Sequence, residues 1–192
     1  MLEFAFVAPL LILLMLMIID LGIMLMSQSL LDGAARDAAR LIRTGQIAAA
    51  GNSITTFENQ LCSDMAPIMG TSNCQQTLTY EVNCWYVSTA VSGCNQTTNG
   101  FGAVAFTACS YMSYQTPTSG TQCPFNPGST STIVAVQVTY NRSFIVPWVG
   151  ACLTGGACWF GAAGRSASSG GGHSVPLVST VVFQNEPFPA SG

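Results

Sequence analysis

The strongest pattern in the chain is an apolar block at its front. From Phe4 to Met26 the one charged residue is Asp20, and the helix-unfriendly residues are Pro9 and Gly22. At ~1.5 Å rise per residue this block spans roughly 34 Å as a helix, enough to cross a bilayer core of about 30 Å. Its Leu, Ile, Phe and Val residues favour insertion by about 7 kcal/mol in total, against about 3 kcal/mol for Asp20 near the helix centre. Insertion wins. A secretory signal fits less well, because no basic residue precedes the run and no small-residue cleavage site follows it. The acidic Glu3 ahead of the run, with no cation before it, is the pattern expected of a chain trimmed at its N-terminus.

The helical pattern continues past the apolar block. Leu30, Ala34, Ala38 and Leu41 recur at helical spacing, while Asp32, Arg36, Arg40 and Arg43 fall mostly on another side. Asp32 and Arg36 form a favourable (i, i+4) pair, and Gly45 supplies a stop. The expected element is one helix over residues 1–45, half apolar and half amphipathic, whose second half needs a surface to pack on.

From residue 46 onward the periodicity changes to that of strands. Thr77–Val87 places Leu78, Tyr80, Val82 and Cys84 on one face, and Ile133–Tyr140 places Val134, Val136, Val138 and Tyr140 on one face. Val175–Gln184 is a third candidate and Ala103–Ser110 a weaker fourth. Ser, Thr, Gly and Pro stretches at 88–100, 115–131 and 161–174 separate them as long loops. Four strands with one polar face need a cover for the other, and the amphipathic half of the helix supplies it.

Composition narrows the setting. Charged residues make up only 7% of the chain, with eight acidic residues, five Arg and no Lys, for a net charge of −3. An ordinary cytosolic domain carries about 25%. So few cations leave no basic patch for phosphates, which excludes nucleic acid as the main partner. All eight Cys (62, 74, 84, 94, 109, 123, 152 and 158) lie beyond the helix. An even count outside the membrane segment points to four disulfides in an oxidising compartment, although eight Cys permit 105 pairings. Cys152–Cys158 is the best single pair, because its short loop is flanked by glycines that turn tightly. The metal alternative lacks any C-x-x-C knuckle.

Catalytic chemistry finds little to stand on. A Ser/His/Asp site would have to use His173, the single histidine, in the loop Ser168–His173, and no G-x-S-x-G elbow accompanies it. Glu58, Asp64, Glu81 and Glu186 are too scattered to nominate a carboxylate pair. No enzyme activity and no cofactor is expected. Two sequons, at Asn95 and Asn141, are candidate glycosylation acceptors.

Both ends of the chain resemble one family. Met1–Leu11 (MLEFAFVAPLL), then Asp20-Leu-Gly22, then Ala34–Arg40 (AARDAAR) look like the start of TadE-like pilins, of the tight-adherence branch of the type IV pilus machinery. Ile133–Tyr140 resembles that family's late strand, and Val181–Phe188 its closing strand and Asn-Glu-Pro ending. The resemblance covers roughly residues 1–45, 133–148 and 175–188 and does not extend to the middle, which holds six of the Cys. The resemblance implies a precursor cut by a prepilin peptidase, then polymerisation driven by a cytoplasmic ATPase and an inner-membrane platform. In such pilins a glutamate stands fifth after the cut; here it is third.

The combined expectation is an α+β, pilin-like fold. A long N-terminal helix (1–45) packs its C-terminal half on a roughly four-stranded antiparallel sheet, within an extracytoplasmic, disulfide-stapled body (46–192). The expected function is that of a structural filament subunit, lodged in the inner membrane before assembly and on the cell surface afterwards, serving adhesion. Its partners are copies of itself or other pilins. The alternative is a membrane-anchored minor pseudopilin or binding domain that does not build the filament body. The assembly residues are Glu3, Phe4, Pro9, Asp20, Gly22, Arg36 and Arg40. In a filament core Glu3 would need a cation, naturally a neighbouring subunit's α-amino group, and Arg36 or Arg40 of a neighbour could serve Asp20. The blander alternatives are a head-group-level carboxylate for Glu3 and a helix-local or water-facing one for Asp20.

Overall fold

In a computed structural model, the structure describes residues 2–49, 53–70, 77–86, 94–96, 121–143 and 174–187, together with positions 74, 106, 109 and 112. Among the described residues, three helices and four strands follow in the order α1 (Leu2–Arg43), α2 (Gln46–Ala49), α3 (Ser53–Met69), β1 (Leu78–Tyr86), β2 (Asn95–Gln96), β3 (Ile133–Ser143) and β4 (Ser174–Gln184). The chain divides into two compact units. One comprises residues 1–29 with 141–177, the other residues 30–140 with 178–192.

Helix α1 runs unbroken through Pro9 and Gly22. It ends at the expected glycine: Gly45 takes φ 72° and donates its N–H to the Ile42 carbonyl at 3.0 Å. A left-handed residue just past the last turn satisfies carbonyls the helix leaves open, and glycine adopts it without a Cβ clash. In the second half of the helix Leu31, Ala34, Ala35, Ala38, Ala39 and Ile42 are buried on one stripe. Four of the six are alanines, so the backbone can lie close to the sheet it covers.

The sheet has the order β2-β1-β3-β4. Strands β1 and β3 pair antiparallel with Tyr80 opposite Val138, Val82 opposite Val136 and Cys84 opposite Val134. These residues form the buried face that alternation predicts, and cross-strand apolar pairs of this kind are the unit of sheet stability. Strand β4 joins the other side of β3, and β1, β3 and β4 make a three-stranded antiparallel sheet. The fourth member differs from the expected one. It is the two-residue β2, parallel to β1 with Trp85 opposite Asn95, while the candidate strand at 103–110 falls almost wholly outside the described residues.

Helix α3 is a large element within the body expected as a β domain (46–192), in a stretch for which no element was anticipated. Phe57, Glu58, Leu61, Cys62 and Met65 are its buried stripe. Phe57 stacks at 5.0 Å from Tyr80 of β1 and 5.6 Å from Phe125, whose ring is in turn 6.1 Å from Tyr80. This aromatic trio, in tilted and edge-on geometry, holds α3 against the inner face of the sheet. Phe125 belongs to the stretch expected as a loop, and it bridges Val82 through backbone hydrogen bonds on either side, Val82 N to Pro124 O and Asn126 N to Val82 O. The α+β, helix-on-sheet architecture is that anticipated from the hydropathy pattern.

Candidate functional site

The outstanding surface of the chain is the front of α1. Every residue from Pro9 to Ile19 is exposed, including ten successive large apolar side chains from Leu10 to Ile19. Within Val7–Arg43 it is long and apolar enough to cross a membrane, with only 11% of its most apolar window buried. A helix apolar on all faces and covered on none has its stabilising surroundings elsewhere.

The unbroken run of exposed residues ends at Asp20, which is fully buried. The Arg142 guanidinium from the end of β3 places Nη2 3.8 Å from the Asp20 carboxylate. Its Nη1 donates to the Ser27 hydroxyl at 3.1 Å, and that hydroxyl donates to the Ile23 carbonyl at 2.8 Å. Asp20 and Ser27 are seven residues apart, two helical turns, and so share one face of α1. All three side chains are buried. The buried carboxylate thus has a buried guanidinium as its counter-charge, and the Ser27 hydroxyl takes up one of that guanidinium's N–H groups.

The other nominated residues lie apart from this cluster. Pro9 and Gly22 are exposed on α1, and a side-chain carbon added at Gly22 would meet open space. Arg36 and Arg40 are exposed as well. Arg36 is sixteen residues from Asp20, ~24 Å along the helix, so within one chain it cannot serve that carboxylate. The cation at Asp20 in this chain is Arg142. Glu3 and Phe4 belong to the first turns of α1, and their side chains lie outside the described residues.

Among the described cysteines, three pairs are bonded: Cys62–Cys74, Cys84–Cys94 and Cys109–Cys123. Cys152 and Cys158 lie outside the described residues, as does His173. The candidate acceptors Asn95, on β2, and Asn141, on β3, are both exposed. Among the described residues no group of three or more His, Cys, Asp or Glu is placed to hold a metal ion.

Sequence reasoning missed Arg142, Ser27 and Asn185. The first carried a usable signal. The alternation Val134, Val136, Val138, Tyr140 extended by one more step reaches Arg142, one of only five cations in the chain. The expected strand ended at Tyr140, and β3 continues to Ser143. Asn185 is buried, and its amide donates to Pro127 O at 2.9 Å and Ser129 O at 3.0 Å, with the Thr132 hydroxyl at 3.3 Å.

Comparison with curated proteins and with solved structures finds no match for the chain. Over residues 1–40, the stretch that holds the exposed apolar helix, Asp20, Ser27 and the Ala34–Arg40 run, the chain matches the model of a family described as TadE-like protein.

Proposed function

We propose that the chain is a structural subunit of an extracellular Tad-type pilus filament, polymerising through α1 and serving surface adhesion. The observation that carries this reading is the exposed apolar run from Leu10 to Ile19, which lies inside the TadE-like segment. Ten successive large apolar side chains in water are prohibitively costly, so the run belongs in lipid or against like helices. A single chain offering one such helix, repeated head to tail, makes an open helical array with the helices inside and the stapled sheet domains outside. The inner membrane holds the helix before assembly. A prepilin peptidase, an assembly ATPase and a membrane platform are the machinery such a subunit uses.

The test is to shear filaments from the cell surface, identify their subunits by mass spectrometry and determine the filament structure by electron cryomicroscopy. This reading expects the chain as a principal component with α1 in the core. Trace abundance would make it a minor pseudopilin. Retention in the inner membrane while filaments form without it would make it a membrane-anchored extracytoplasmic domain.

A further inference from the structure

We propose that the Asp20–Arg142 pair marks the level at which α1 leaves the hydrocarbon of a bilayer, so that lipid surrounds residues 4–19, Glu3 lies at the opposite head-group level and the pair sits at the water-facing boundary. The inference rests on the membrane-held stage of the function proposed above, and it concerns the depth of the helix rather than filament assembly.

Three observations converge on this level. The first is exposure: side chains from Pro9 to Ile19 are uncovered on every side of the helix, and Asp20 begins a covered stripe that continues through Ser27, Leu31, Ala35, Ala38 and Ile42. A helix bare on all faces suits lipid, whereas one covered on a single stripe belongs to a protein domain. The second is length. Glu3 and Asp20 stand ~25 Å apart along the helix, so the uncharged run between them covers most of the roughly 30 Å hydrocarbon core of a bilayer. The wider apolar block, Phe4–Met26, would put Asp20 well inside the hydrocarbon, where a carboxylate is among the least tolerated groups. With Asp20 at the edge, the exposed Leu21, Leu25 and Met26 occupy the head-group layer just above it.

The third observation is charge. Asp20 and Arg142 are both buried and 3.8 Å apart, and the Ser27 hydroxyl, two turns further from the lipid, accepts from the same guanidinium. The pair therefore places two groups that resist hydrocarbon at one height on the helix. Moving the helix deeper would drag both into lipid, and lifting it would expose Ile18 and Ile19 to water. Opposed penalties on the two sides define a position.

The test uses the full, disulfide-bonded chain reconstituted in phosphatidylcholine–phosphatidylglycerol vesicles. A fluorescent amino acid is placed at Leu13 or at Leu25, and quenching is measured with mid-chain brominated lipids and with aqueous iodide. The expected result is that the Leu13 probe is quenched by bromolipid and not by iodide, and the Leu25 probe by iodide and weakly by bromolipid. The charge exchange Asp20→Arg with Arg142→Asp keeps that profile. The double change Asp20→Leu with Arg142→Leu lets the helix sink, so the Leu25 probe loses iodide quenching and gains bromolipid quenching. Equal bromolipid quenching at Leu13 and Leu25 in the unaltered pair overturns the proposal even if the double variant fails to fold. So does an unchanged Leu25 profile in a folded double-Leu variant. A chain that does not float with the vesicles overturns the membrane-held stage itself, and the depth assignment with it.

Discussion

Glu186 closes the end of α1 from 143 residues away. Its backbone N–H donates to the Arg43 carbonyl at 3.1 Å, and its carboxylate lies 3.0 Å from the Arg43 guanidinium. The last carbonyls of a helix have no partner within it, so an N–H delivered from the chain end after β4 is a cap built through tertiary structure. Both side chains are about half exposed, and water screens the ion pair.

The two halves of that contact therefore differ in weight. Glu186→Ala keeps the backbone hydrogen bond and costs about 0–1 kcal/mol. Glu186→Pro removes the N–H and costs about 1–3 kcal/mol by leaving a helix-terminal carbonyl unmet. Chemical denaturation of the full chain in detergent micelles separates the two. Equal losses would put the weight on the ion pair.

Asn185 has more at stake than its neighbour. Its amide donates to the Pro127 and Ser129 carbonyls, and its own N–H donates to the Thr132 carbonyl at 2.9 Å, so it ties the turn before β3 to the end of β4. Asn185→Ala costs about 2–3 kcal/mol, the sum of two modest hydrogen bonds and the carbonyls left unmet. Asn185→Asp costs more, because a buried carboxylate then faces two carbonyl oxygens. An Asp variant as stable as the Ala variant in thermal unfolding would show that the amide does not hold this turn.

Within the same turn Gly128 has φ 70°, and a Cβ there would run into the Thr132 hydroxyl and press on Cys84 Cβ at 3.1 Å. The Thr132 hydroxyl is not free to yield, since it donates to the Ser129 carbonyl at 2.7 Å. Gly128→Ala thus combines a left-handed backbone with a collision and destabilises by about 1–3 kcal/mol. Gly22→Ala, in open space on α1, stabilises the helix by up to about 1 kcal/mol. Paired melting curves of the two variants check the contrast.

How far these contacts could be read from the sequence depends on how local their causes are. Helix α1 and strands β1, β3 and β4 follow from periodicity, which each segment carries by itself. Helix α3 also has its apolar positions at spacings of three and four, Phe57, Leu61 and Met65 among them. Its β-branched Thr55-Thr56 and internal Pro67 lower helix propensity, so its formation leans on burial against Tyr80 and Phe125 and on the Cys62–Cys74 bond. None of those partners is local. Asp20 was recognisable as an anomaly, but its cation lies 122 residues away, and short-range patterning does not register that distance. Arg142 shows on the inward face only when the alternation of β3 is followed past Tyr140.

The bonded pairs make a direct prediction for the two cysteines left over. Peptide mapping without reduction finds Cys62–Cys74, Cys84–Cys94 and Cys109–Cys123, and Cys152 joined to Cys158. The three described bonds close loops with separations of 12, 10 and 14 residues. Each contributes about 3 kcal/mol by restricting the unfolded chain. Reduction then sensitises the sheet domain to proteolysis, and unchanged resistance would mean the bonds are dispensable.

Glu3 and Asp20 pose the same electrostatic problem with different solutions. Asp20 has Arg142 beside it in its own chain. Seventeen residues separate the two acids, ~25 Å along α1, so the same guanidinium cannot neutralise both. In the proposed filament core Glu3 would be a buried carboxylate whose cation must come from a neighbouring subunit, and an unpaired charge there is strongly unfavourable. Glu3→Ala removes the attraction that registers one subunit on the next, yet it leaves the apolar helix intact for insertion. The expected outcome is normal recovery of the variant in the membrane fraction and a loss of about tenfold or more in sheared filaments, the effect of ~1.4 kcal/mol or more per subunit contact. Quantitative immunoblotting of the two fractions measures both. Filament yield equal to that of the unaltered chain would remove Glu3 from the assembly contact.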